Sequence, residues 1–288
     1  GDPVGGEAPP LEVSITLPGN YKYARVAIDD AEGELVTRAA DGSFEVDLPV
    51  DHLGVGEHRI RVSSRGGRSL GGASFVASAP LYVVVSTDWD DTRMTDAFLA
   101  RMEQLRAAHP GLKMTQFFAP YHYTDPTVSE ARKVAIDAWI KEQRDVHGDE
   151  IGVHIHGWCH FVDTTAVPCK TAETFYQDDG SGYTTILAAY SEAEMTTLLE
   201  AALTTYDDHA LGRPTSFRAG GWTAYVGTLR ALVATGFTVD SSAVPAHRLA
   251  VWKGYELYDW TMAHWAGITE TAQPYYPGQG DVTAPDAA

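Results

Sequence analysis

Three histidines and a cysteine, His154, His156, Cys159 and His160, fall within seven residues of the stretch EIGVHIHGWCHF, in a chain with 11 histidines among 288 residues. Imidazole suits zinc and similar transition metals, so the cluster reads first as a metal site. Side chains alternate along a strand, which puts His154 and His156 on one face with their rings converging. HGWCH offers a second pair, His156 and His160, in the loop or first turn that follows. Strand geometry ranks His154 with His156 ahead of that pair.

The stretch STDWDD repeats the arrangement with carboxylates. Asp88 and Asp90 point to one side, and Trp89 and Asp91 to the other. Two adjacent carboxylates repel when both are ionised, and a nearby cation removes that penalty. One can then bind the metal while the other stays free as a base. Asp91, followed by Thr92, reads as a helix N-terminal cap. An Asp-His-His set leaves open metal positions for water and substrate, the layout of a hydrolytic site. Arg218 precedes Ala219-Gly220-Gly221-Trp222. It can pair with the free aspartate and hold it ionised. The glycines let backbone N–H groups approach a ligand closely, as an oxyanion hole requires.

These residues must be positioned by the elements around them. LYVVVSTD (Leu81–Asp88) is a continuous apolar run of the kind a buried parallel strand shows. A helix with Met94, Phe98, Leu99, Met102 and Leu105 on one face follows it. Strands KMTQFF, EIGVHIH, TSFRAG and FTVDSS alternate with further helices, one opened by a Ser191-x-x-Glu194 capping box and one closed by Gly236. This is an α/β pattern with a parallel sheet or barrel. Asp88 and Asp90, then His154 and His156, then Arg218, then Asp240 all sit at strand C-terminal ends, which open onto one face in such folds. Residues 11–78 differ: short alternating runs separated by turn signals predict a small β-sandwich of the Ig-like kind. The expected organisation is a linker at 1–10, the sandwich at 11–78 and a catalytic domain at 79–288.

A net charge of -18 and a pI near 4.8 argue against nucleic acid and anionic membranes, because phosphates need a basic partner surface. Hydrophobic residues make up 44% and charged residues 21%, an ordinary globular mixture, and no apolar run reaches the length of a membrane span. Cys159 and Cys169 can form a disulfide in an exported protein, stay as free thiols, or lend Cys159 to the metal. The expected location is secreted, periplasmic or at the cell surface.

With these residues in place, Leu81 to Pro277 resembles the polysaccharide deacetylases of the NodB-homology type, carbohydrate esterase family four. The motifs that carry the resemblance are TDWDD, EIGVHIHGW, SFRAGGW and TLRALVATGFTVDSSAVP, in the family's order and spacing. The resemblance implies a distorted (β/α) barrel. It implies a divalent transition metal, zinc first and cobalt or nickel after it, held by Asp90 with two of His154, His156 and His160. It further implies Asp88 as general base, Arg218 as its tether, Asp240 as support, an N–H near Gly221 in the oxyanion hole, and Trp222 and Trp158 at the sugar pocket. The substrate would be an N- or O-acetylated glycan. The family's commoner pattern spaces its two histidines four residues apart, so both pairs stay open. The family also closes on an apolar strand carrying a general-acid histidine. This chain ends in QPYYPGQGDVTAPDAA, and His264 is the late histidine that can stand in. The alternatives are a metal-assisted amidase acting on a non-sugar substrate and a carbohydrate-binding protein with impaired catalysis.

Overall fold

The structure, a computed structural model, describes residues 10–50, 52–78, 83–177, 180–278 and 280–284. The chain divides into two compact units, Gly1–Val83 and Val84–Ala288. Most of the expected 1–10 linker and the residues Ala79 and Pro80 lie outside the described residues.

The first unit holds β1 (Leu11–Thr16), β2 (Tyr23–Ile28), β3 (Glu34–Thr37), β4 (Ser43–Leu48), β5 (Gly56–Ser63) and β6 (Ser69–Ala77). β1 pairs with β4, and the others form a sheet in the order β3-β2-β5-β6, antiparallel throughout. Alternation in β4 buries Phe44, Val46 and Leu48 and exposes Glu45 and Asp47. The buried set meets Val26 and Ile28 of β2 and Ile60 and Val62 of β5 in one apolar cluster. Two antiparallel sheets closing over a shared layer is how strands of period two bury one face each.

The second unit runs β7 (Ser86–Asp88), α1 (Asp96–Ala108), β8 (Thr115–Phe118), α2 (Tyr121–Thr124), α3 (Glu130–Asp145), β9 (Glu150–Ile155), α4 (Cys159–Val162), α5 (Glu192–Asp208), β10 (Ser216–Ala219), α6 (Val226–Thr235), β11 (Val239–Asp240) and α7 (Glu256–His264). Its five strands are parallel and hydrogen-bond in chain order, β7-β8-β9-β10-β11. Connections between parallel strands follow the right-handed rule, and when each advances to the next strand that rule places the connecting helices on one face. On that face Phe118, Val153, Ile155 and Phe217 pack against Ile136, Leu198, Tyr206 and Leu232. The Tyr206 hydroxyl reaches the carbonyls of Phe118 at 2.9 Å and Gly152 at 2.8 Å, tying α5 to β8 and β9.

Apart from Phe117 of β8, the residues of opposite parity named by the pairing are small, polar or charged: Ser86 and Asp88, Gly152 and His154, Ser216 and Arg218. The sheet coils tightly around them. A Cβ at Gly152 would lie 2.4 Å from Ser216 Oγ and 2.9 Å from the Phe117 ring, so no side chain fits there. Arg218 of β10 touches Ser86 and Asp88 of β7, three strand spacings away. In a flat sheet that separation is about 14 Å.

Three sequence expectations change. The strand predicted over Leu81–Asp88 pairs with β8 only at Ser86–Asp88; Leu81 and Tyr82 lie outside the described residues, and Val84 is 79% exposed. β7 has β8 as its one partner in the sheet, so its start is not sandwiched as an interior strand would be. The apolar face expected for α1 forms only in part: Met94 and Met102 are buried and Leu99 packs on the core. Phe98 and Leu105 are 38% and 37% exposed, and Met94 precedes the helix. Arg106 is buried instead, because it pairs with the buried Asp149 at 2.7 Å. Asp91 does not cap α1. Thr95 does, and Asp91 accepts the Arg93 N–H in a local turn. The Ser191–Glu194 capping box forms as the sequence predicts.

Candidate active site

The inner-face parity of β7 and β9 carries their carboxylates and imidazoles to a common point beyond the strand ends. His154 Nε2 lies 2.8 Å, and His156 Nε2 3.1 Å, from the same oxygen of Asp90, Oδ1. The ligand atoms of Asp90, His154 and His156 all lie within 4.8 Å of one another, and among the described residues no other group of His, Cys, Asp and Glu does this. Both imidazoles are buried, while the Asp90 side chain is 52% exposed.

The far nitrogens fix the chemistry of the near ones. His154 Nδ1 is 2.8 Å from the Arg218 carbonyl, and His156 Nδ1 is 2.8 Å from the Tyr183 carbonyl. A carbonyl only accepts, so each Nδ1 carries the proton. In the neutral tautomer each Nε2 then presents a lone pair toward a carboxylate oxygen. Burial holds His156 below its usual pKa despite the Asp90 hydrogen bond, so charging that ring is opposed. A cation among the three atoms satisfies all of them. Burial acts to raise the Asp90 pKa, and only hydrogen bonds and positive charge from protonated rings of His154 and His156 would outweigh it and hold the carboxyl below the usual range; a bound cation supplies the same positive charge with both rings neutral. The donor set, two imidazole nitrogens and one carboxylate oxygen with carbonyls behind the imidazoles, fits zinc or a similar transition metal.

His156 is packed closely by two neighbours. The Tyr183 ring stacks on it at 4.3 Å, and a Cβ at Gly220 would come within 2.5 Å of the imidazole. Only glycine at 220 lets the backbone after β10 lie this close. Asp88 and Asp90 are fixed through the residue between them. The Trp89 indole N–H donates to Gln116 Oε1 at 3.1 Å, and the Tyr121 hydroxyl donates to the Trp89 carbonyl at 2.8 Å. Gln116 Nε2 in turn donates to Asp149 at 2.8 Å. Trp89 and Gln116 are both buried, so the strand end that carries the two carboxylates is anchored from the outer face.

Arg218 Nη1 donates to Asp88 Oδ1 at 2.7 Å and to Ser86 Oγ at 3.0 Å. Its Nε and Nη2 are taken by the carbonyl and hydroxyl of Ser241 at 3.1 and 2.7 Å, and the guanidinium lies over the Phe117 ring at 4.2 Å. Among the described residues, Asp88 Oδ2 makes no hydrogen bond and remains to act on a ligand. Asp240 does not touch Asp88. Its carboxylate accepts from the Ser242 hydroxyl at 2.6 Å, and loss of water around it raises its pKa to about 6, against the Ser242 hydrogen bonds and the Arg218 charge. Ser242 Oγ also accepts the Ala219 N–H at 2.9 Å, so Asp240 bears on the backbone leading to Gly220.

Of the other expected site residues, Gly221 and Trp222 form a single turn after β10 with φ of 58° and 56°. Trp158 is half-buried against the Tyr183 ring at 4.8 Å. His160 is not part of the Asp90 cluster. It lies in α4, which turns its Nδ1 toward Thr124 Oγ1 at 2.9 Å. The structure does not bring His264 to these groups either: it stacks on Trp260 at 4.1 Å, with Tyr225 against its edge. His264, Trp260 and Tyr225 line a separate cavity of about 570 Å³. Cys159 and Cys169 form a disulfide with a Cα–Cα distance of 5.2 Å, which removes Cys159 as a ligand. Sequence reasoning missed Ser86, Ser241, Gln116 and Tyr183. Ser86 shares the parity of Asp88 and Ser241 follows Asp240 directly, so both had a signal. Tyr183 lies in the long loop after β9 and had none.

No family model and no curated protein matches the chain. Among solved structures it is similar to a family 4 carbohydrate esterase from Streptomyces lividans in complex with acetate, at 13% identity and a TM-score of 0.36, over 58% of this chain and 67% of that one. It is also similar to a polysaccharide deacetylase from Bacillus cereus, at 10% identity and a TM-score of 0.35, over 80% of this chain and 83% of that one. At these scores the overall superposition is loose.

Proposed function

We propose that the chain is a metal-dependent hydrolase that removes acetyl groups from an N- or O-acetylated polysaccharide. The observation that carries this reading is the convergence of His154 Nε2 and His156 Nε2 on one Asp90 oxygen, with both Nδ1 atoms committed to carbonyls, beside an Asp88 tethered by Arg218. Asp90, His154 and His156 would hold the metal, with zinc favoured by the donor set. A divalent ion there supplies an electrophile for the acetyl carbonyl and acidifies water. Asp88 takes the proton of the attacking water through Oδ2, while Arg218 keeps the carboxylate ionised and aimed. Water adds to the carbonyl carbon, the bond from that carbon to the sugar nitrogen or oxygen breaks, and the proton passes to the leaving group; the products are acetate and a free amine or hydroxyl. Gly221 and Trp222 would present backbone N–H groups to the oxygen that gains charge, and Trp158 would line the sugar pocket.

The tight coil of β7 to β11 supports a distorted (β/α) barrel for residues 79–288, and the two sheets of residues 11–78 support an Ig-like accessory sandwich. The Cys159–Cys169 disulfide supports an oxidising location, secreted, periplasmic or at the cell surface. Among the described residues no helix is long and apolar enough to cross a membrane. A second reading, a glycan-binding protein with impaired catalysis, is favoured by one observation, that His264 lies in a separate cavity.

Acetate release from acetylated chitin, peptidoglycan and xylan fragments, measured with zinc and with a chelator, tests the proposal. Release that stops with chelator and returns with metal is expected. Bound metal without release from any of them would favour the second reading, and release indifferent to chelator would overturn the metal role.

A further inference from the structure

We infer that the hydroxyl of Tyr183 is a catalytic hydrogen-bond donor of this site, meeting the acetyl oxygen that gains charge as water adds. The inference rests on the hydrolytic reading and adds a residue to it.

Tyr183 touches the cluster in two ways. Its carbonyl takes the His156 Nδ1 proton at 2.8 Å, and its ring lies on the His156 imidazole at 4.3 Å with 27° between the planes. Its other ring neighbour is Trp158 at 4.8 Å, a residue of the expected sugar pocket. The backbone is pinned on the other side, because the Tyr183 N–H donates to Ser181 Oγ at 3.1 Å. The loop is held close to the site by the Cys159–Cys169 disulfide, since a Cβ at the preceding Gly182 would meet both sulfurs at 3.1 Å. Position and orientation of the ring are therefore set by four separate contacts.

With the ring held this firmly, the hydroxyl is conspicuous because it has nothing to do in the resting protein. Among the described residues it makes no hydrogen bond and it is open to solvent on a half-buried ring, whereas the fully buried Tyr121 and Tyr206 both spend theirs on backbone carbonyls. The ring that carries the Tyr183 hydroxyl lies on the imidazole of a metal ligand, so the hydroxyl is held on the side of the site that a substrate must enter past Trp158. An O–H carried by a ring stacked on a metal ligand is the kind of preorganised group that stabilises an oxyanion.

Tyr183→Phe isolates the hydroxyl. It keeps the carbonyl and the ring that hold His156, so metal affinity should stay at the wild-type value. The expected result is a kcat lower by about 100-fold with KM changed by less than about twofold, the pattern for one lost oxyanion donor. Tyr183→Ala, which removes the stacked ring as well, should also weaken zinc binding. Acetate, the reaction product, reads the same hydrogen bond without turnover: its affinity for the zinc-loaded chain, measured by NMR titration, should fall about tenfold in Tyr183→Phe. Wild-type rate and wild-type acetate affinity in Tyr183→Phe would overturn the inference. So would a loss of activity that merely tracks lost zinc. Absence of acetate release by the wild type would instead count against the hydrolytic reading, and the acetate titration would still decide the role of Tyr183.

Discussion

Arg218 on β10 and Asp88 on β7 meet at 2.7 Å although two strands lie between them in the sheet. The contact measures the coil of the sheet and aims the carboxylate. Arg218 spends Nε, Nη1 and Nη2 inside the coil, on Asp88, Ser86 and Ser241. Arg218→Met should lower kcat/KM by about 100-fold or more, the scale of a misplaced general base, while bound zinc stays at one ion per chain. Arg218→Lys should rescue little, because an ammonium cannot span the same fork. Steady-state kinetics with metal analysis checks both. Full activity in Arg218→Met would detach Asp88 from its tether.

The three histidines of the opening cluster should separate cleanly on metal analysis. His154→Ala and His156→Ala should each lose bound zinc, and His160→Ala should keep it, because His160 is turned toward Thr124. Zinc should also raise the Tm of the wild type, as any ligand of the folded state does, and should not raise that of His154→Ala. Calorimetry with and without metal gives the comparison. Zinc retained by His156→Ala and lost by His160→Ala would invert the assignment.

Asp240 gives a pH dependence with a definite sign. Its folded pKa of about 6 lies above the usual aspartate value of 3.8, so folding binds its proton more tightly. The ionised carboxylate therefore opposes folding above pH 6, and that cost fades as the pH falls from 6 toward 4. By linkage it amounts to at most about 3 kcal/mol. Asp240→Asn should be more stable than the wild type above pH 6, with the gap closing by about pH 4. Urea unfolding across that range tests this, and a constant gap would contradict it.

Reducing the Cys159–Cys169 bond should destabilise the loop that carries Tyr183. Closing a loop of this size is worth about 3 kcal/mol in the chain-entropy estimate. The expected signs in reductant are a lower Tm and weaker zinc binding, since His156 loses part of its clamp. Unchanged zinc affinity after reduction would mean that the loop holds without its crosslink.

What the sequence made legible follows the strand period. Asp88 with Asp90 and His154 with His156 could be paired because residues two apart share a face, whatever the rest of the fold does. The capping box at Ser191 was legible for the same reason, being a local pattern. Phe98 and Leu105 misled, because the buried Asp149 draws Arg106 inward, a choice set by a residue 43 positions away. Tyr183 was invisible because its place depends on a disulfide and on the stack against His156, neither of which leaves a periodic trace. His160 looked equivalent to His156 until the short helix α4 turned it away.

The most direct measurement compares acetate release by the wild type and by Asp88→Asn, each verified to hold one zinc ion per chain. The substitution leaves the Asp90–His154–His156 cluster untouched and removes the base. The wild type should release acetate from an acetylated glycan, and the variant should be slower by about 10³-fold with zinc intact. Equal rates in the two, or no release by the zinc-loaded wild type, would contradict the account.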